Sequence, residues 1–530
     1  MSLPDIFPNI TLDKGDINPG IRLFGRRFVN QQIILEFASE FLALAFSPKW
    51  LGGEKLDQAL PSMQQLRSWT DETLRYKPGI RLNLKLFALL GNSRVDGRHE
   101  VHRIQYRKLT EKMKTRINVS NGDPDEVLEC LEEFLGGFQG AGFDRTWCAQ
   151  SFFPISPGLI NQETIWNETI AKRDQPHSWG ESIERFHKYY SVSKHRFMAR
   201  GGEVLYLQLC NALRQDQTLL DNHFHRANSI TKNELNPYTL HSCLQDALYT
   251  IRGQYTHGLE SLATYIESMD RQTQEKVNNE SEVLDCQWCP AESWPEGYLF
   301  AVELNRLLHA RLDPTERIEL MMTGCALQVL RSLCAQAVRY ADLPVRDGCG
   351  GVLHYAWIFS TADSTGQQRK ASHRSLQFIQ SMIQKALRHK DLEENARQSN
   401  KDLYKEADTK YGHKFFLSLG KKLEVIIPFR GPGARFIMTD RLMRYLVAVL
   451  LPPGERCTYE EFLHRLYQHY GIAVEGEYLT DAAIWTGLPA NSSIQPENGS
   501  SLKEMLRAGG FLTDLSDAYS IVHNPFGDEE

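Results

Sequence analysis

The sequence predicts a mainly α, multidomain protein: a helical body with a few short strands, closed by a C-terminal winged-helix-like module. Three observations lead there. Apolar residues recur three and four apart through most of the chain, the period of an amphipathic helix. Alternating apolar and polar runs, which mark half-buried strands, are few and short. Residues 435–526 read helix, helix, insert, helix and β-ribbon, and each helix carries its own start and stop signals. The expected divisions are 1–160, an N-terminal helical domain; 161–350, a central helical domain; 351–430, a strand with a basic helical segment; and 431–530, the winged-helix-like module.

Residues 1–25 are polar and proline-bearing and read as an irregular arm. Ile33, Ile34, Phe37, Phe41, Leu42, Leu44 and Ala45 then make a helix that is apolar nearly all round, hence a core helix. Ser47-Pro48 ends it. Residues 82–90 form a second buried segment. The helix over 98–117 is strongly basic, with Arg103, Arg107, Lys108, Lys112, Lys114 and Arg116. Asp123-Pro124-Asp125-Glu126 opens an acidic helix with proline at its first position. The pair forms either an antiparallel hairpin with complementary faces or a basic face for a phosphate backbone. The glycine-rich stretch 136–142 follows a helix and lacks a Gly-Lys-Ser/Thr ending, so it reads as a helix stop and not a phosphate loop. Residues 147–159, rich in aromatics and proline, read as an ordered loop.

Residues 184–203 interleave basic and aromatic side chains, including Lys194, Arg196 and Arg200, and end in Gly201-Gly202. Such a stretch can track a nucleic-acid backbone while its rings stack on bases. The helix that follows would offer its amide end to an anion. The alternative is a surface strand with inward aromatics. From 237 to 342 the chain is helix after helix, with a polar loop expected at 275–282. Cys286-Gln287-Trp288-Cys289 could be half of a zinc site, but no second pair with a recognised spacing completes four ligands.

Residues 352–359 make the best strand outside the C-terminal region. The lysine- and arginine-rich run 366–422, which includes Lys401, Lys405, Lys421 and Lys422, reads as one or two exposed helices. Arg430-Gly431-Pro432-Gly433 reads as a hinge. In the C-terminal region, Thr439-Asp440 caps a helix through Leu442, Tyr445, Leu446, Val449 and Leu450. Thr458 and Glu461 form a capping box for a second. Gly471 stops that helix, a natural left-handed position. An insert covers 472–499, Ser501 and Glu504 open a third helix, and 511–513 and 519–522 are short strands around a turn. The third helix, the expected reader of a groove, offers only Lys503 and Arg507, few for base and phosphate contacts.

Hydrophobic content of 42% and charged content of 24% are those of a globular protein. A net charge of −6 excludes a uniformly basic nucleic-acid coat but not a local patch. No uncharged apolar run approaches the roughly 18–20 residues that span a bilayer, so no membrane is expected. Scattered cysteines and a polar amino terminus read as cytoplasmic. No nucleophile elbow, HExxH, P-loop, kinase or deaminase signature is intact, so the chain reads as non-enzymatic and no cofactor is implied. A nuclease-type site assembled from distant residues is the remaining enzymatic alternative.

The leucine-rich helix, Tyr459-Glu460-Glu461-Phe462 through Tyr470-Gly471, Leu515-Ser516-Asp517-Ala518 and Asn524-Pro525-Phe526 together resemble accessory proteins of bacterial anti-phage defence islands, of methylation-associated or phosphorothioation-linked systems. The resemblance covers roughly a fifth of the chain. It implies a cytosolic bacterial protein working beside a motor, nuclease or methyltransferase, and no catalytic residue carries over. The expectation is a DNA-associated or assembly subunit of such a defence complex, with other protein subunits and possibly DNA as partners. The alternative is a protein-interaction scaffold without DNA contact.

Overall fold

The computed structural model describes residues 4–12, 18–25, 28–30, 32–91, 98–120, 122–137, 164–191, 200–254, 257–342, 350–392, 401–488, 501–515 and 519–527. The fold is mainly α, with short strands at the margins. Its centre is a group of four helices: Ile34–Phe46, Gly201–Leu213, Trp294–His309 and Pro314–Tyr340. The expected core helix is there, buried from Leu35 to Ala45, and helix 201–213 is buried along its whole length. Helix 314–340 is long and apolar enough to cross a bilayer, yet 89% of its most apolar window is buried against its neighbours.

The N-terminal arm is more ordered than its composition implied. Ile6–Phe7 pairs with Cys289–Pro290, and Pro19–Phe24 is helical, started by the Asn18 side chain, which accepts from the Gly20 amide at 2.9 Å. The strands Lys49–Leu51, Glu54–Leu56, Arg75–Tyr76 and Leu284–Asp285 make a small antiparallel sheet. Helices Leu82–Gly91, Glu100–Lys114 and Pro124–Gly137 pack together over a second apolar cluster that includes Leu84, Phe87, Leu109, Met113 and Leu128. The basic and acidic helices are the complementary hairpin. Lys114 pairs with Asp125 at 2.5 Å, and the Tyr106 hydroxyl donates to Glu132.

Four sequence expectations are corrected. The polar stretch at 275–282 is mostly helix, Arg271–Glu280, because Asp270 caps it and Thr273 and Val277, four apart, bury one face. The strand expected at 352–359 shrinks to Trp357–Ile358. Gly350, Gly351 and His354 adopt positive φ (91°, 63° and 62°), which breaks an extended run. The hinge at 430–433 is the turn of a hairpin between Ile426–Ile427 and Arg435–Phe436. The basic run is not merely an exposed face. Its first helix, Gly366–Ala386, buries Leu376, Ile379, Met382 and Ile383 against helix 314–340, and two shorter helices, Lys401–Glu406 and His413–Lys422, follow. Residues 138–163, which include most of the glycine-rich stretch and the aromatic loop, lie outside the described residues.

The C-terminal elements follow the expected order. Asp440–Leu450 is capped by Thr439, whose hydroxyl accepts from the Leu442 amide at 3.3 Å. Tyr459–Tyr470 is capped by Thr458 and stopped by Gly471 at φ 68°. Only half of the capping box forms there, because the Glu461 carboxylate accepts from Arg465. Part of the insert is structured: Ile472–Ala473 pairs in parallel with Trp357–Ile358, and Gly476–Trp485 is a helix. Ser501–Ala508 leads into Leu512–Asp514 and Ser520–His523. A strand the sequence did not reveal, Arg456–Thr458, completes a three-stranded antiparallel sheet with 520–523 in the middle. One continuous apolar core runs from Phe7 to Phe526 and draws on all four expected divisions.

Candidate functional site

The residues expected to touch nucleic acid meet different fates. Lys194 and Arg196 lie outside the described residues, and of Lys401 only its place at the start of helix 401–406 is described. Arg200 is corrected outright: it is 3% exposed and ion-paired with Glu203, and its Nη2 donates to the Asp285 carbonyl at 2.6 Å. The anion at the start of helix 201–213 is the chain's own Glu40, which accepts from the Arg200 amide at 3.0 Å and the Gly202 amide at 2.8 Å. The paired glycines do permit a close backbone approach, and what approaches is helix 34–46. A Cβ on Gly202 would lie 2.4 Å from the Phe41 nitrogen.

Lys421 and Lys422 are half-buried and donate to the carbonyls of Phe429 (3.2 Å) and Gln32 (3.0 Å). On the third C-terminal helix, the Lys503 ammonium sits 4.7 Å from the Tyr459 ring centroid, and Arg507 pairs with Asp514 at 2.6 Å. Arg103 is half-buried, while Arg107, Lys108 and Lys405 are exposed and have no ion pair among the described residues. Their helices have different principal neighbours: helix 100–114 packs on 82–91, 124–137 and 179–184, helix 401–406 on the turn at 407–411, and helix 501–508 on strand 512–514. The expected basic residues therefore do not converge on one described element.

What does converge is a buried polar cluster joining the body to the C-terminal elements. Glu303 of helix 294–309 accepts from Arg331 of helix 314–340 (2.5 and 3.2 Å), from the Tyr445 hydroxyl (3.0 Å) and from His469 Nε2 (2.6 Å). Arg331 also donates from Nε to Gln328 at 2.7 Å and lies over the Tyr470 ring. One turn on from Glu303, Arg306 binds Glu234 (2.7 and 2.6 Å) and donates to the carbonyls of Val449 and Leu450, both at 2.8 Å. Those carbonyls end helix 440–450, where a cation answers both the unpaired oxygens and the helix dipole. Two body helices thus hold two C-terminal helices by charge. The sequence signal was available but incomplete: Glu303, Arg306 and Arg331 are lone charges within apolar helix stripes, where unpaired charge is not tolerated.

Burial pushes the Glu303 carboxyl up, but the Arg331 charge and the His469 hydrogen bond outweigh it and hold the group at about 2. Burial lowers His469, and this outweighs the opposing pull of Glu303. The neutral Nε2–H tautomer satisfies both contacts, donating to Glu303 and accepting at Nδ1 from the Ser229 hydroxyl at 2.8 Å. Hydroxyl, imidazole and carboxylate in line have the composition of a nucleophilic triad. Here Ser229 is 1% exposed, His469 0% and Glu303 1%, so no substrate reaches them, and Arg331 already occupies the carboxylate. The grouping is structural.

A pH dependence follows. A histidine whose folded pKa is lowered binds its proton in the unfolded chain first, so its contribution is present above about pH 6.5 and is lost as pH falls. His102, also buried and shifted down by burial, adds in the same direction. The Glu303 contribution is present above its unfolded value and is lost between about pH 4.5 and 2. Urea denaturation between pH 7.5 and 5 is expected to show stability falling on acidification by up to about 1.4 kcal/mol per pH unit for each such histidine. His469→Gln should flatten that slope, and equal slopes in the two proteins would refute the assignment.

Cys286 and Cys289 are buried free thiols, and burial pushes both up, Cys289 to about 12. Among the described residues no group of three or more His, Cys, Asp or Glu is placed to hold a metal ion. Comparisons with protein-family models, with curated proteins and with solved structures give no match to this chain.

Proposed function

We propose that this chain is a non-enzymatic assembly subunit of a multi-protein complex, and that residues 431–530 form a winged-helix-like module serving as a built-in adaptor. The bacterial anti-phage setting implied by the C-terminal resemblance is the context we propose for it. One observation carries this reading: the cations of the would-be reading helix already have partners within the module, Lys503 over the Tyr459 ring and Arg507 in a surface ion pair with Asp514. A groove reader needs such groups free for phosphates and base edges. The sheet order, with strand 520–523 between 456–458 and 512–514, supports the winged-helix outline.

A second reading, DNA association through the body, has its own support. Arg369 and Arg435 stand close enough for Arg369 to lower the Arg435 pKa, after burial, and neither has an ion pair among the described residues. His373, one turn from Arg369, bonds the Ala434 carbonyl at 2.6 Å and so ties that helix face to the hairpin. Electrophoretic shifts with duplex and single-stranded DNA at low salt separate the two. Lys503→Ala with Arg507→Ala should leave any affinity within about twofold of wild type, and Arg369→Glu with Arg435→Glu should remove it if the second reading holds. A loss of about tenfold or more from the Lys503/Arg507 pair would overturn the adaptor reading. Point substitutions are the proper tool, since deleting 431–530 would open the shared core.

A further inference from the structure

Several half-buried and buried arginines in this protein meet a carboxylate, although Arg103 and Arg435 do not among the described residues. Arg81 binds Glu260 and Glu267, Arg306 binds Glu234, Arg331 binds Glu303, Arg339 binds Glu296 and Arg465 binds Glu455. Arg214, just past the end of helix 201–213, is half-buried and meets none among the described residues. Its guanidinium lies over the Phe7 ring, 4.8 Å from the centroid, and it lines a cleft of about 480 Å³. We propose that this cleft is a binding site for a small anion, a carboxylate or phosphate carried on a planar or apolar body, with Arg214 as its anchor.

The geometry supplies what such a ligand needs. The volume falls within the range of small-molecule sites. With its guanidinium carbon over Phe7, Arg214 has no protein acceptor for its N–H groups among the described residues, and those groups form a fork matched to two oxygens of one anion. Trp294 also lines the cleft and offers a second aromatic surface for the ligand body. Asn9, Thr70 and Gln215 add polar groups that can fix orientation.

The frame is rigid and formed in advance. Phe7 is held in the ladder with Cys289, the Ala291 amide donates to the Asp5 carbonyl at 2.7 Å, and Asn211 Nδ2 donates to the Ala291 carbonyl at 2.8 Å. The Asn9 amide donates to the Thr70 carbonyl at 2.8 Å. Glu292 also lines the cleft, but its Oε1 accepts from Gln336 at 2.6 Å and it makes no ion pair with Arg214. Burial lowers the Arg214 pKa. The Phe7 ring beneath the guanidinium offsets part of that desolvation, and a bound anion would offset more.

The proposal is independent of the adaptor reading. It is tested on the full chain by isothermal titration with benzoate, phenyl phosphate, inorganic phosphate and benzyl alcohol. Saturable binding of benzoate or phenyl phosphate, at least about tenfold tighter than benzyl alcohol, is expected, and whichever binds tighter identifies the headgroup. Arg214→Met should weaken it about tenfold or more, while Arg214→Lys, which keeps charge but not the fork, should weaken it less. Thr70→Glu places a carboxylate at an exposed position of the cleft and should exclude the probe in a protein whose fold is undisturbed. No saturable binding of either charged aromatic probe overturns the proposal. So does binding that survives Arg214→Met or, should that variant not fold, Thr70→Glu, and so does inorganic phosphate binding as tightly as phenyl phosphate.

Discussion

Arg331→Met is expected to lower the unfolding free energy by about 3–5 kcal/mol, the cost of leaving one member of a buried ion pair without its partner. Glu303 would keep Tyr445 and His469 but lose Arg331, the only permanent cation at its oxygens among the described residues. Two outcomes relieve the stranded charge: the carboxyl takes up a proton, or the C-terminal helices loosen to admit water. Either way the midpoint of urea denaturation shifts, and hydrogen exchange in helices 440–450 and 459–470 should accelerate more than in helix 34–46. Arg331→Met combined with Glu303→Leu should recover much of the loss, since well-packed apolar replacements of buried pairs are often neutral. A single substitution costing less than about 1 kcal/mol would show that the cluster does not hold the two parts together.

Gly202→Ala is expected to cost about 3 kcal/mol, at the upper end of overpacking. The new Cβ would sit 2.4 Å from the Phe41 nitrogen and 2.5 Å from both the Glu40 Cβ and the Phe37 carbonyl oxygen. Two of these are backbone atoms, which no rotamer change can move aside. Helix 34–46 must retreat from helix 201–213, and Glu40 then loses its bonds to the amides at residues 200 and 202. Gly366→Ala is the control: it also lies at a helix start, and nothing lies within 4 Å of its Cβ position. Thermal unfolding of the two variants should differ by several degrees, and matching midpoints would contradict the close packing.

The features legible in the sequence were those whose cause is local. Thr439, Thr458 and Gly471 sit within four residues of the groups they satisfy, so the helix ends could be read directly. The core helix at 34–46 was legible because an all-round apolar surface has one solution, burial. Strand 456–458 was not, since its register comes from residues 521–523. The basic residues show why charge alone misleads. Lys503 and Arg507 announce a cation, but Tyr459 and Asp514 decide whether it is free. Glu303 was hidden most completely, because its partner Arg331 lies 28 residues on and its partner His469 lies 166 residues on. An apolar stripe reveals that a buried charge needs company without saying whose.

The separation between Glu303 and His469 also sets an order of events during synthesis. At ribosomal speeds of about 5–20 residues per second, the helix bearing Glu303 and Arg306 emerges roughly 10–30 seconds before His469. For most of that interval Glu303 can find Arg331, but the partners of Arg306 on helix 440–450 do not yet exist. Strand 357–358 likewise waits for 472–473. The nascent body therefore leaves the ribosome with its central seam unsealed and apolar surface showing. A chaperone that holds such surfaces should bind chains stalled before residue 440 and release those that have passed residue 526.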